Sequence, residues 1–84
     1  MKKQTNPVIT GALLEAVDNQ LKELNPPETM ETYKRLLASG YPDDQARRLI
    51  ATALLTEINA VMKSNQPYNE KRYIGYLNKL PKLP

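Results

Sequence analysis

Three groups of side chains in this chain have the types and spacing to do chemistry. They are paired carboxylates at Asp43-Asp44 and at Glu28 with Glu31, basic doublets at Lys34-Arg35 and Arg47-Arg48, and five tyrosines at Tyr33, Tyr41, Tyr68, Tyr73 and Tyr76. Cysteine and histidine do not occur. Mechanisms that use histidine as a general base or cysteine as a nucleophile are therefore excluded, and so are zinc sites built on imidazole or thiolate. A phosphate-binding loop needs closely spaced glycines ahead of a helix, whereas Gly11, Gly40 and Gly75 stand apart. No catalytic residue, cofactor or metal ligand is expected.

Both carboxylate pairs fall where helices are expected to begin, and acids in a first helical turn stabilise the helix dipole without any catalytic role. The basic doublets flank a turn at Gly40 in the manner of a helix-turn-helix reader. The second helix of such a reader offers its first turns to the bases, and here those turns carry Asp43 and Asp44, the wrong sign for phosphate. The tyrosines divide differently. Tyr33 and Tyr73 lie on apolar stripes and are expected in the core, while Tyr41, Tyr68 and Tyr76 are candidates for an interface, where a ring that is apolar at one end and polar at the other is favoured.

Prolines at positions 7, 26, 27, 42, 67, 81 and 84 divide the chain into stretches with a helical apolar period. In the first, Ile9, Leu13, Val17, Leu21 and Leu24 recur every three or four residues, behind Asn6 as N-cap and Pro7 at the first helical position. Asn25-Pro26-Pro27 ends that run, because residues before proline avoid the helical region. The second helix is expected from about 27 to 39, with Met30, Tyr33 and Leu37 on one face, Leu36 beside them and Gly40 as its stop. The third opens at Pro42 and has the longest stripe, Ala46, Leu49, Ile50, Ala53, Leu54, Ile58, Val61 and Met62, and ends near Ser64-Asn65. A fourth, capped by Asn69, runs to about Leu80 with Tyr73, Leu77 and Leu80 together and Ile74 adjacent. No strand period is sustained. The expected fold is all-α: a compact orthogonal or up-and-down bundle of about four helices. It spans residues 1–84 as one domain, with a flexible lead-in at 1–5 and an extended tail at 81–84.

The chain of 84 residues is mildly basic, net +3, and the charge is uneven. The segment 26–45 is net acidic, whereas 66–84 sets Lys71, Arg72, Lys79 and Lys82 against Glu70 alone. A domain this small buries only roughly 60% of the surface its unfolded chain exposes, so tight helix packing or self-association must supply its stability. Lys2 and Lys3 precede an apolar stretch from Val8 to Leu14 that Thr10 and Gly11 interrupt, and Glu15 and Asp18 follow it. That stretch is too short and polar for export or membrane insertion, and the expected location is the cytoplasm, with no membrane partner.

The run Asn25-Pro26-Pro27-Glu28-Thr29, with Tyr33, Arg35-Leu36-Leu37, Gly40, Ala46, Leu49-Ile50, Glu57, Pro67-Tyr68, Arg72-Tyr73, Leu77 and Leu80-Pro81, resembles a group of small bacterial all-helical proteins of unknown function. The likeness covers nearly the whole chain. It implies a helical fold and supplies no activity; where some members of that group have histidines, this chain has Thr10, Leu14 and Arg48. The stretch from Leu36 to Arg48 is also similar to the loop and second helix of ubiquitin-associated domains, but the third helix here is far too long for that fold.

These observations lead to one expectation: a non-enzymatic helical module that acts by protein contact, with a partner protein or with a second copy. Its candidate interface is Tyr41, Tyr68, Tyr76, Leu80 and Leu83. Leu80 and Leu83 join the tyrosines because a short last helix followed by Pro81-Lys82-Leu83-Pro84 offers them little cover. The alternative is a weak nucleic-acid binder using Lys71, Arg72, Lys79 and Lys82. An excess of charge that small argues against a dedicated nucleic-acid surface.

Overall fold

The computed structural model describes residues 7–83, with nothing said of the side chains of Pro7, Val8 and Ile9. Four helices follow one another: α1 (Pro7–Glu23), α2 (Pro27–Ala38), α3 (Asp43–Ser64) and α4 (Glu70–Lys79). No strand occurs among the described residues. The expected lead-in at 1–5 and the expected N-cap Asn6 lie outside them. α2 and α3 pack on each other, and α1 and α4 each pack on both without backbone contact between themselves. The result is a compact all-α bundle with a radius of gyration of 12.4 Å.

Each boundary has a local cause. Pro27 begins α2, with Pro26 extended before it. α2 then ends in a left-handed C-cap: Gly40 has φ +100, its N–H donates to the Leu37 carbonyl, and the Tyr41 N–H donates to the Leu36 carbonyl. Only glycine adopts that backbone without strain. α1 closes with the same outer bond, Asn25 N–H to the Gln20 carbonyl, but Leu24 occupies the left-handed position at φ 55. α3 stops at Asn65, also left-handed, and Asn69 caps α4 by accepting the Arg72 N–H on its side-chain oxygen at 3.0 Å. After α4 the chain turns, with the Lys82 N–H on the Lys79 carbonyl.

The core comprises Leu13 and Val17 from α1, Leu36 from α2, Ala46, Ile50, Ala51, Ala53 and Leu54 from α3, and Tyr73, Leu77 and Leu80 from α4 and its end. α3 contributes most of it, as its stripe implies, although Met62 at the far end is exposed. α2 differs from expectation. Its buried face is Thr29, Thr32 and Leu36, with Met30 and Tyr33 half-buried and Leu37 exposed. A hydropathy pattern counts threonine as polar, yet the Thr29 hydroxyl donates to Gln20 Oε1 at 2.7 Å, so the side chain enters the core with its polar group satisfied.

The same Gln20 oxygen accepts the Tyr73 hydroxyl at 2.7 Å, and this ties α1, α2 and α4 through one amide. Burial pushes the Tyr73 phenol up to about 12, so the ring stays neutral and keeps donating. Tyr33 sits at the core edge instead, with its hydroxyl on Asp43 at 2.6 Å.

Two substitutions test this account by thermal or denaturant unfolding. Ile50→Ala, at a fully buried site, should cost about 2–5 kcal/mol. Leu24→Gly should stabilise the chain by up to about 1 kcal/mol, because an L-residue in the left-handed region costs roughly 1–2 kcal/mol and glycine's entropic penalty offsets only part of the gain. A destabilised Leu24→Gly variant would show that this exposed side chain contributes packing that outweighs its backbone strain.

Candidate functional site

Glu57 lies on the buried face of α3, seven residues after Ile50, and is fully buried. Its partners come from the start of α4. The Asn69 N–H donates to Oε2 at 2.8 Å, and the Arg72 fork donates from Nε to Oε1 at 2.8 Å and from Nη2 to Oε2 at 2.7 Å. The Arg72 hydrogen bonds hold the Glu57 carboxyl below its ordinary range, against the opposing effect of burial. A carboxylate so fully donated to, and lining neither groove described below, is a structural fastening rather than a general base.

Arg35 and Arg47 from the doublets, and Asp43 from the start of α3, are engaged within the fold as well. Arg35 donates from Nη1 to the Leu80 carbonyl at 2.6 Å and from Nη2 to the Leu77 carbonyl at 2.9 Å, satisfying the open end of α4. Arg47 bridges α1 and α3, reaching Asp18 at 2.9 Å and Asp43 at 3.3 Å. Asp43 is held below the ordinary aspartate range chiefly by the Tyr33 hydroxyl, and the same bond raises the Tyr33 phenol. No buried side-chain polar atom among the described residues lacks a partner. Among them there is also no cluster of three or more acidic side chains placed to hold a metal ion, and no helix long and apolar enough to cross a membrane.

Among the described residues, two grooves lie along an outer face of α3. A groove of about 230 Å³ is lined by Tyr41, Gln45, Arg48, Leu49, Thr52 and Leu83. A second, of about 210 Å³, runs between α1 and α3 and is lined by Thr10, Leu13, Leu14, Arg48, Ala51, Thr52 and Leu55. Arg48 and Thr52, one turn apart, belong to both and form the ridge between them. The left-handed turn at Gly40 places Tyr41 at this face, and the turn after α4 brings Leu83 to it.

The five residues expected at an interface therefore separate. Tyr41 and Leu83 share the first groove. Tyr68 is exposed elsewhere, its ring centroid 6.4 Å from that of Tyr73, and Tyr76 is half-buried against the core. Leu80 is buried, 1% exposed, because the Arg35 grip on its carbonyl holds the end of α4 against α2. Of the basic C-terminal quartet, Arg72 is committed to Glu57. None of Leu13, Leu14, Arg48, Thr52 and Leu55 was expected at an interface: Leu13 reads as part of the α1 stripe and Arg48 as half of a basic doublet, and the signal available was a second, weaker stripe at 48, 52 and 55 on the back of α3. No family model, curated protein or solved structure matches the chain.

The fastening makes a definite pH prediction. Since the folded Glu57 value lies below the unfolded one, its contribution is fully present above about pH 4.3, the ordinary glutamate value, and is lost as pH falls through the folded value. Glu57→Gln should cost about 1–3 kcal/mol at neutral pH, less than a wholly buried pair because the Arg72 side chain is 32% exposed. Arg72→Ala, which strands the carboxylate, should cost more than Glu57→Gln. Unfolding curves between pH 7 and 3 should fall less steeply for Glu57→Gln than for the wild type, and parallel curves would show that this carboxylate does not control acid stability.

Proposed function

We propose that the chain is a non-enzymatic protein-interaction module whose contact surface is the face formed by the two grooves about the Arg48–Thr52 ridge. The observation that carries this reading is the pairing of apolar grooves on one face of a domain whose buried polar groups are otherwise satisfied. Each groove is smaller than the roughly 300–1,000 Å³ usual for small-molecule pockets. A space of that size suits a single bulky side chain, and two such spaces side by side suit the anchors of a partner helix. The rival reading, a weak nucleic-acid binder, loses Arg72 from its basic segment because that guanidinium is bound to Glu57.

The test is selection of helical peptides from a random library against the full chain, followed by amide NMR mapping of the enriched sequences. Binders should shift Tyr41, Leu49 and Leu55 together, with affinity that changes little between low and moderate salt. Binding confined to other surfaces, or oligonucleotide binding that weakens steeply with salt, would refute the module reading.

A further inference from the structure

The chain has four arginines, and three of them are spent inside the fold. Arg35 holds the end of α4, Arg47 pairs with Asp18 and Asp43, and Arg72 pairs with Glu57. Arg48 is exposed and makes no side-chain hydrogen bond or ion pair among the described residues; Asp44, one turn earlier on α3, is not bonded to it. It stands on the ridge between two apolar grooves whose other polar lining groups, Thr10, Gln45 and Thr52, carry no charge. A guanidinium in that position offers a planar fork of donors that matches a carboxylate, and flanking apolar contacts exclude water from the pair.

Resting on the reading of this face as a contact surface, we infer that its occupant is an amphipathic helix of another protein with an acidic side chain between two bulky apolar ones. The spacing follows from the ridge. The two grooves lie on one face of α3 and share Arg48 and Thr52 as their common wall, so a partner helix has to place one anchor on each side of a single row of side chains. Anchors two turns apart, about seven residues, leave a position between them on the same helix face. Apolar anchors about seven residues apart therefore fill the grooves while a glutamate midway between them meets Arg48.

A second copy of this chain fits the face poorly. A two-fold contact centred on the ridge sets Arg48 against Arg48. The chain's own partly uncovered stripe on α2, Met30 and Leu37, has Lys34 at the midpoint where the acid is required. Both arrangements place like charges together in a desolvated contact, which costs affinity and selects against the wrong partner.

The experiment uses the full chain and fluorescently labelled, alanine-based helical peptides with leucines about seven residues apart and glutamate, glutamine or lysine between them. The glutamate peptide should bind and shift Leu49 and Leu55 amides together. Replacing its glutamate by glutamine should weaken binding by about 10- to 100-fold, the range for losing one charged hydrogen-bonded contact. Arg48→Glu should abolish binding of the glutamate peptide and restore binding of the lysine peptide, and Arg48→Gln should remove the preference between them. Melting curves establish that both variants are folded, as expected at an exposed site. Equal binding of the glutamate and glutamine peptides at this face would overturn the acidic partner and leave the contact surface standing. Failure of every peptide to perturb the face would overturn both. A concentration-dependent dimer, seen by light scattering and broadening Leu49 and Leu55, would assign the face to self-association instead.

Discussion

The fold depends on how a buried carboxylate is satisfied at Glu57. α3 carries the longest apolar stripe, and Glu57 occupies the next position on that stripe after Ala53 and Leu54. An ionised group there would forbid the packing of α4 unless α4 itself brought the donors. It does so through two features of its first turn, the free N–H of Asn69 and the fork of Arg72. Asn69 in turn accepts the Arg72 N–H, so the helix start, the cap and the ion pair are one hydrogen-bonded unit. Because a removed partner leaves the other charge buried, such an arrangement specifies which helix end sits on α3 more strongly than it adds stability.

At the opposite end of α4 the logic is repeated with the roles exchanged. There the orphaned groups are backbone carbonyls, and the donor is Arg35 from α2. With both ends fixed, Tyr73, Leu77 and Leu80 are held on the core side, and the chain beyond Lys79 is directed to the mouth of the groove that Leu83 and Tyr41 share. The outer face of α3 is thus a consequence of helix-end chemistry some distance from it. The left-handed turn at Gly40 makes the second contribution, since it sets Tyr41 beside Leu49 rather than continuing α2.

Helix number, order and ends were readable in the sequence because prolines, Gly40, Asn65 and Asn69 act locally: each imposes a backbone conformation on its neighbours whatever the tertiary context. Faces were readable only where hydropathy alone decides them, as at Ile50, Leu54, Tyr73 and Leu77. α2 was misjudged because Thr29 becomes compatible with burial only through Gln20, nine residues earlier, and a periodic count has no access to that bond. Leu80 was expected to lack cover for a similar reason: its cover depends on Arg35, forty-five residues away. In the candidate face, Tyr41 and Leu83 were anticipated from their types, whereas the ridge was not: Arg48 reads in the sequence as half of a basic doublet, and its place between two grooves emerges only once α1 and the tail are set beside α3.

Adjacent arginines show how little a charge run says on its own. Arg47 and Arg48 are neighbours in sequence, but one helical step turns them about 100° apart, and this decides their fates. Arg47 points towards α1 and finds Asp18, with Asp43 from the turn before, and becomes part of the scaffold. Arg48 projects over the grooves, where the other walls among the described residues are leucines, a tyrosine, an alanine, two threonines and a glutamine and supply no anion. Desolvating that guanidinium against an apolar partner would be costly, whereas desolvating it against a carboxylate returns much of the cost as a directed, bidentate bond. The same residue that leaves the isolated domain comfortable in water therefore sets the terms on which another surface can cover it.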